Sequence, residues 1–557
     1  MRANLARWIP LVRQHEEGAI DLRRDVPAGL TTAVMLVPQA MAYALLAGLD
    51  PIIGLYASTV PLFVYGLMGT SRQLAVGPVA MVSLLVASGL SEMGSDPARA
   101  AGLAAMLMAM VGLIQTGMGM LRVGFLVRFL SHPVIAGFTS AAALIIGSSQ
   151  LGHVLGISLP RSHHVHETLW QVVEHASEIH GPTVAIALLS IAALVVLKRW
   201  APRVPRFLVV VVGATLAVWG FGLDAHGVRI VGEVPQGLPA LTLPSFDQSA
   251  LVQLLPTAIT ISLVGFMESI SVAKRFAREE GYAIDADQEL LALGTANLLG
   301  SVFRGYPVTG GFSRTAVNAQ AGAVSGVSSL VTAAAVTLTL LFLTPLFTML
   351  PKAVLASIIL TAVVGLIDVA EARHLWKVSR PDLAAMALTF VATLVLGIEP
   401  GIALGVAGSL IWFIWSTSRP HVARLGRLPG GVYRNVLRFP DAETVENVVA
   451  LRIDAPLYFA NTAFLKQTVL DAVEPTTAHM VLDGSAIGSM DAQALSTFQE
   501  LIEALQDRGV QTWLAAAPGP VRDALAAAHV PLPSDHMVPT VHDAVLAIER
   551  DGQQQSA

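Results

Sequence analysis

Arg314 closes the run Val308-Thr309-Gly310-Gly311-Phe312-Ser313-Arg314 inside a segment that is otherwise apolar. An arginine at membrane depth costs about 2.5–3.5 kcal/mol on insertion scales, so it calls for an anion or a water-filled cavity. The glycines before it let a ligand approach the backbone, and Ser313 adds a hydroxyl donor. A helix starting there leaves its first N–H groups free and adds roughly half a positive charge. In the first half of the chain, Val76-Gly77-Pro78-Val79-Ala80 interrupts an apolar run in the same way. Proline at the first helical position loses no hydrogen bond the helix needs. Two such ends facing one another, Gly77 to Ala80 and Gly311 to Arg314, make an anion site with one fixed charge. The alternatives are a proline kink in a continuous span and an arginine that pairs with a carboxylate or snorkels to a boundary.

Glu268 stands as the one carboxylate well inside an apparent span, and Ser262, Gly265 and Ser269 share its helical face. Two helix ends plus Arg314 present roughly +2 to a substrate when Glu268 is protonated and roughly +1 when it is ionised. A dianion therefore binds best together with a proton. The competing reading is an ion pair between Glu268 and Lys274 or Arg275. Gln39 and Tyr43 lie four apart on the first span, so they share a face and either can line a cavity or bridge helices. His163, His164 and His166, followed by Glu167, form a loop cluster without defined metal-ligand spacing and read as solvated. No catalytic triad or paired-carboxylate motif points to an enzyme. No nucleotide-binding glycine loop points to a transport ATPase.

The elements that must position these residues are membrane helices. The chain has 557 residues, 54% hydrophobic and 13% charged, with mean hydropathy +0.64, which excludes an ordinary soluble globular protein. The net charge of −5 is spread along the chain and gives no basic field for nucleic acid. Zero cysteines exclude disulfides and thiolate chemistry. No early apolar run precedes a small-residue cleavage site, so no removable signal peptide is expected.

Apolar windows fall near 26–48, 51–69, 77–90, 100–121, 126–151, 182–198 and 205–222, then 250–273, 284–302, 311–321, 324–344, 350–367, 382–397 and 400–418. That predicts fourteen segments, seven on each side of the loop 223–249, with the third and tenth short. With the N-terminus inside, thirteen Lys and Arg fall in inner loops, against Arg99, Arg161, Arg229, Arg304 and Lys352 outside. Both termini are then cytoplasmic. An odd number of spans per half makes the second repeat inverted. The expected domains are an N-terminal segment 1–25, a membrane domain 26–419 (repeats 26–222 and 250–419), a soluble α/β domain 430–551 and a frayed tail 552–557. Within the soluble domain, strands are expected over 448–460, 479–482 and 510–517, and helices over 461–473, 491–508 and 520–528.

Val37-Pro38-Gln39-Ala40-Met41-Ala42-Tyr43, with Gly54-Leu55-Tyr56-Ala57-Ser58, Gly69-Thr70-Ser71-Arg72, Gly77-Pro78 and Ser313-Arg314-Thr315-Ala316-Val317, resembles the SulP family of anion transporters. Its members include sulfate permeases and bicarbonate and dicarboxylate carriers. The resemblance implies fourteen segments in two inverted repeats of seven, with a core domain moving against a gate domain like an elevator. It implies an anion site at Gln39, Tyr43, Val79, Phe312, Ser313 and Arg314, with Glu268 and Ser269 serving ion coupling. No cofactor is implied. The coupling ion is expected to be a proton, with sodium as the alternative in a bicarbonate symporter, and an uncoupled channel or exchanger as a further alternative. Leu457-Tyr458-Phe459-Ala460-Asn461 and Leu482-Asp483-Gly484-Ser485 resemble a STAS domain. Asp491 is followed by Ala492-Gln493-Ala494, so the phosphorylatable serine of related antagonists has no counterpart here. The resemblance implies a homodimer, with the STAS domain available to a cytoplasmic protein partner, while the compact chain and short loops point to the inner (cytoplasmic) membrane of a prokaryote.

Overall fold

The computed structural model describes residues 9–91, 93, 97–124, 131–159, 165–201, 204–244 and 247–555. His163 and His164 of the loop cluster lie outside these residues, as do Arg128, Arg161 and Arg203 of the charge count. Among the described residues, no group of three or more His, Asp or Glu is arranged to hold a metal ion. The chain divides into two compact units at Ser409/Leu410.

A helix or an interrupted helix lies in each apolar window, and the last of them extends from the first unit into the second. After α1 (Pro10–Glu16) come α2 (Leu22–Leu46), α3 (Pro51–Tyr56) and α4 (Val60–Met68), the two-residue strand β1 (Val76–Gly77) and α5 (Ala80–Ser91). Then follow α6 (Pro97–Met120), α7 (His132–Ser149), α8 (Leu151–Leu155), α9 (Val165–Glu174), α10 (Gly181–Trp200) and α11 (Arg206–Phe221). The second half runs α12 (Gln248–Glu280), α13 (Ala286–Val302), β2 (Thr309–Gly310), α14 (Phe312–Gln320), α15 (Val327–Leu338), α16 (Lys352–Val363), α17 (Val369–Val378), α18 (Arg380–Leu396) and α19 (Ile398–Ser418). Among the described residues, nine helical stretches have the length and hydropathy to cross a membrane, while α5 and α11 are shorter and apolar.

Local chemistry sets the boundaries. Asp21 caps α2 by accepting from Arg23 N at 3.0 Å, so this helix starts at Leu22, ahead of the expected residue 26. The second window breaks into α3 and α4, because Pro61 fits the first turn of a new helix and cannot donate inside an old one. Asp247 caps α12 and Gly281 ends it with φ +74°, giving 33 residues where the hydropathy window had fewer. α6 and α13 cross at backbone contact: a Cβ on Gly112 would lie 2.5 Å from Leu298 N, and one on Gly294 would lie 2.5 Å from Thr116 N.

The second unit carries a six-stranded sheet of order β4-β3-β5-β6-β7-β8. β3 (Val422–Leu428) and β4 (Val432–Asn435) form an antiparallel hairpin, and β3 also runs antiparallel to β5. β5 (Val448–Ile453), β6 (His479–Asp483), β7 (Gln511–Ala515) and β8 (Met537–Val538) are parallel. α20 (Thr462–Asp471), α21 (Ala492–Asp507), α22 (Gly519–Ala527) and α23 (Val541–Gln555) connect and cover them. Alternating side chains of the central strands feed two cores: Met480 and Leu482 join Leu501 and Ile502 on one face, Val481 and Trp513 join Val545 and Ile548 on the other. The sheet starts at Val422, ahead of residue 430, because the β3–β4 hairpin belongs to it. The strand expected over 448–460 stops at Ile453, and α23 continues to Gln555 through residues read as a tail.

Candidate anion site

The two interrupted segments meet. β1 and β2 pair antiparallel with Val76 opposite Gly310 and Gly77 opposite Thr309. α5 leaves from one strand and α14 from the other. In α5 the first helical bond is Ser83 N to Val79 O, 2.9 Å, and in α14 it is Thr315 N to Gly311 O, 3.0 Å. The amides ahead of them, Ala80 to Val82 and Phe312 to Arg314, carry the positive ends of the two helix dipoles.

Arg314 is only 1% exposed, among the largest fully buried side chains. Its Nη1 donates to Pro78 O across the crossing and to Gln39 Oε1 at 3.4 Å. Its Nε and Nη2 are buried without a hydrogen-bond partner among the described residues. Two glycines make room for it. A Cβ on Gly311 would stand 3.0 Å from Nη2, and one on Gly77 would stand 3.4 Å from the same atom. Gln39 Nε2 donates to Tyr43 OH at 3.0 Å, so the pair on α2 joins the guanidinium as one buried network. Gln39 thus both bridges helices and faces the charge. Val79 and Ala80 are buried at the start of α5, whereas Phe312 and Ser313 are exposed.

Glu268 is half-buried on α12, and its Oε2 is sequestered without a hydrogen-bond partner among the described residues. The alternative ion pair does not form: Arg275 pairs with Glu279 at 3.3 Å. Ser269 Oγ and Thr309 Oγ1 lie 2.6 Å apart, Gly310 N donates to Ser269 Oγ at 2.7 Å, and Thr309 Oγ1 donates to Gly265 O at 2.5 Å. These bonds fasten β2 to the helix that carries Glu268.

Several residues of the site carry no motif that sequence reasoning used. Asn297, fully buried on α13, accepts from Val308 N at 2.9 Å and donates to Val308 O at 3.1 Å, so its side chain pairs with β2's approach as a neighbouring strand would. Its polar side chain inside an apolar window was the available signal. Tyr306 is fully buried, with its hydroxyl 3.0 Å from Ser83 Oγ on α5. Glu268 is also not the only carboxylate inside the helical unit. Glu289 is fully buried and accepts from Tyr65 OH at 2.7 Å, Thr70 N and Thr70 Oγ1 at 2.6 Å, and Ser71 N at 3.0 Å. Asp25 is fully buried and accepts from Val324 N, Ser325 N and Ser325 Oγ. Both lie in the first turn of a helix, where a carboxylate reads as ordinary capping chemistry.

Residues 22–389 match the sulfate permease family, and residues 439–544 match the STAS domain. Probable sulfate transporter 4.2 of Arabidopsis thaliana is 41% identical over 526 residues, covering 90% of this chain and 77% of its own. A probable sulfate transporter of Mycobacterium tuberculosis is 36% identical over 554 residues, covering 98% of this chain and 99% of its own. The murine Solute Carrier 26 family member A9 anion transporter, solved in an inward-facing state, superposes with a TM-score of 0.90 at 27% identity, over 99% of this chain and 95% of that one. The transmembrane domain of a cyanobacterium bicarbonate transporter gives 0.61 at 26% identity, over 70% of this chain and 97% of that domain. The polytopic helical membrane domain expected from hydropathy and the STAS domain expected from the resemblance are both matched: the chain belongs to the sulfate permease family and carries a C-terminal STAS domain.

Proposed function

We propose that this protein is a secondary active transporter of small anions of the sulfate class, coupled to protons through Glu268. The observation that carries the reading is Arg314, a buried charge with two unpaired nitrogens beside two helix N-termini. Arg314 and the helix ends together supply roughly +2, which matches a dianion, and an ionised Glu268 lowers that to roughly +1. Protonation of Glu268 therefore strengthens dianion binding, and loss of the proton weakens it. Substrate and proton then travel together. The names of the relatives support the sulfate class.

Alternating access of the elevator type fits the β1–β2 pairing, because it ties α5 and α14 into one body that can carry the anion. We place the membrane domain in the inner membrane of a cell with both termini cytoplasmic, and propose that the protein acts as a homodimer whose STAS domain is open to a cytoplasmic partner.

The test is uptake of radiolabelled sulfate into proteoliposomes with imposed proton or sodium gradients. Wild type should accumulate sulfate under an inward proton gradient, and Glu268→Gln should lose that accumulation while keeping exchange of sulfate across the membrane. Unchanged gradient-driven uptake by Glu268→Gln would rule out proton coupling through this residue. A second reading, sodium-coupled bicarbonate symport, draws on the hydroxyls of Ser269 and Thr309 on the helix face next to Glu268. Both hydroxyl protons can be spent within that cluster, leaving oxygen lone pairs for a hard cation. Uptake driven by sodium and not by protons would select it.

A further inference from the structure

Glu268, Ser271 and Arg275 follow one another on a single face of α12, three and then four residues apart. Their accessibility rises along that face: Glu268 is half-buried, whereas Ser271 and Arg275 are exposed. Seven residues of helix place Arg275 about 10 Å along the axis from Glu268. The facing element shows the same trend. Arg314 is buried while Phe312, two residues earlier on α14, is 44% exposed. Arg275 joins the two. Its guanidinium carbon stands 5.2 Å from the centroid of the Phe312 ring, which also packs against Phe276 at 6.4 Å. That is within the range where a cation is held over an aromatic face.

The ion pair of Arg275 is a weak one. Its partner Glu279 lies one turn along the same helix, both side chains are more than half exposed, and the contact is 3.3 Å. Such pairs exchange readily with solvent ions. Lys274 and Arg278 flank Arg275 on the same helix and are also exposed, but only Arg275 is placed over the first residue of α14.

We propose that Arg275, held beside Phe312, is the outer arginine of a two-step anion path: it takes the anion from the cytoplasmic solvent in exchange for Glu279, and passes it inward to Arg314. The inference rests on the anion-transport reading above. Arg275 acts on arrival and departure of the substrate, so it governs the rate at which dilute anion reaches the site and the sensitivity of that rate to salt. Selectivity and maximal turnover stay with the buried residues. Phe312 holds the guanidinium at the mouth and keeps it from collapsing onto the inner site.

The experiment measures initial sulfate uptake by inside-out proteoliposomes, which turn the cytoplasmic end of α12 to the bath, for wild type, Arg275→Gln, Arg275→Lys and Glu279→Gln. Substrate is varied at low and at physiological ionic strength, held with impermeant salts. Arg275→Gln should lower uptake at subsaturating sulfate about three- to tenfold at low ionic strength, leave the maximal rate unchanged and flatten the salt dependence. Arg275→Lys should keep most of the salt dependence, and Glu279→Gln should raise uptake of dilute sulfate. A salt dependence in Arg275→Gln equal to that of wild type overturns the inference, as does a fall in maximal rate at constant KM. Glu279→Gln supplies an independent arm if Arg275→Gln reconstitutes poorly, because unchanged uptake there also counts against the path. Absence of sulfate transport by wild type refutes the transport reading itself, whereas a silent Arg275→Gln with an inactive Arg314→Ala refutes the outer arginine alone.

Discussion

Replacing Arg314 with lysine keeps the charge and removes the fork, which separates two roles that alanine would remove together. The guanidinium has five N–H donors. Nη1 is committed to Pro78 O and Gln39 Oε1, so Nε and Nη2 remain for an anion. A lysine ammonium that stays anchored on the Pro78 carbonyl has one direction fewer to give the substrate. A hydrogen bond to a charged group is worth about 1.5–3 kcal/mol, so losing one weakens binding about 10- to 150-fold. Arg314→Ala loses at least two such bonds and the charge, a loss of at least about 3 kcal/mol, or more than about a hundredfold. Titration calorimetry of sulfate into the detergent-solubilised protein reads both numbers, with a melting curve to confirm that each variant is folded. Arg314→Lys within about threefold of wild type would show that the two free nitrogens are not both used, and the forked recognition would have to be abandoned. Retained affinity in a folded Arg314→Ala would remove Arg314 from the site altogether.

Asn297→Ala leaves both Val308 N and Val308 O without their partner, and should destabilise the protein by about 2–5 kcal/mol, read as a lowered melting temperature. Glu289→Gln turns an amide donor toward a site where four donors converge, so it should lower stability by about 2–3 kcal/mol while sulfate affinity in the surviving folded fraction stays near wild type. In the STAS domain, Arg452 hydrogen-bonds Asp454 and holds its carboxyl below the usual carboxylate range, with His421 adding to the effect. A depressed carboxyl stabilises the fold above its unfolded pKa of about 3.9 and loses that contribution as pH falls through the folded value. Arg452→Gln should therefore reduce the acid sensitivity of the domain below about pH 4, measured by circular dichroism against pH.

Much of the site was legible because its signals are local. A proline and glycines that shorten an apolar run are visible in one segment, and Arg314 stands out by charge in an apolar setting. The helix starts at Ala80 and Phe312 follow from that chemistry. Glu289 and Asp25 were not legible for the opposite reason. Each lies in the first turn of a helix, and what makes it structural is a set of backbone amides supplied from the other half of the chain. Asn297 is similar: an asparagine in an apolar window signals a polar contact, but not that the contact is a strand-like pairing with Val308. Helix ends were displaced wherever a cap outran the hydropathy, as Asp21 and Gly281 do for α2 and α12. In the STAS domain the buried strands β5, β6 and β7 carry apolar runs, whereas β3, with two arginines and a glycine, and the four-residue β4 carry none and were not expected as strands.

The unequal halves of the site follow from the direction of its two helices. For two helix N-termini to converge on one point, the helices must run away from that point in opposite senses, and antiparallel pairing of Val76 with Gly310 and Gly77 with Thr309 gives that arrangement. An inverted repeat supplies such a pair from two similar segments. Backbone amides alone would then make both halves equivalent. Arg314 breaks the equivalence, because it belongs to α14 yet donates to the Pro78 carbonyl at the start of α5. The fixed charge of one repeat is anchored on the backbone of the other, so the halves cannot separate without stranding a buried guanidinium, which costs far more than a surface pair is worth. On the proposed alternating-access reading, relative motion leaves the crossing intact and occurs between it and other parts of the helical unit. That constraint favours movement of the whole site over opening of the site itself.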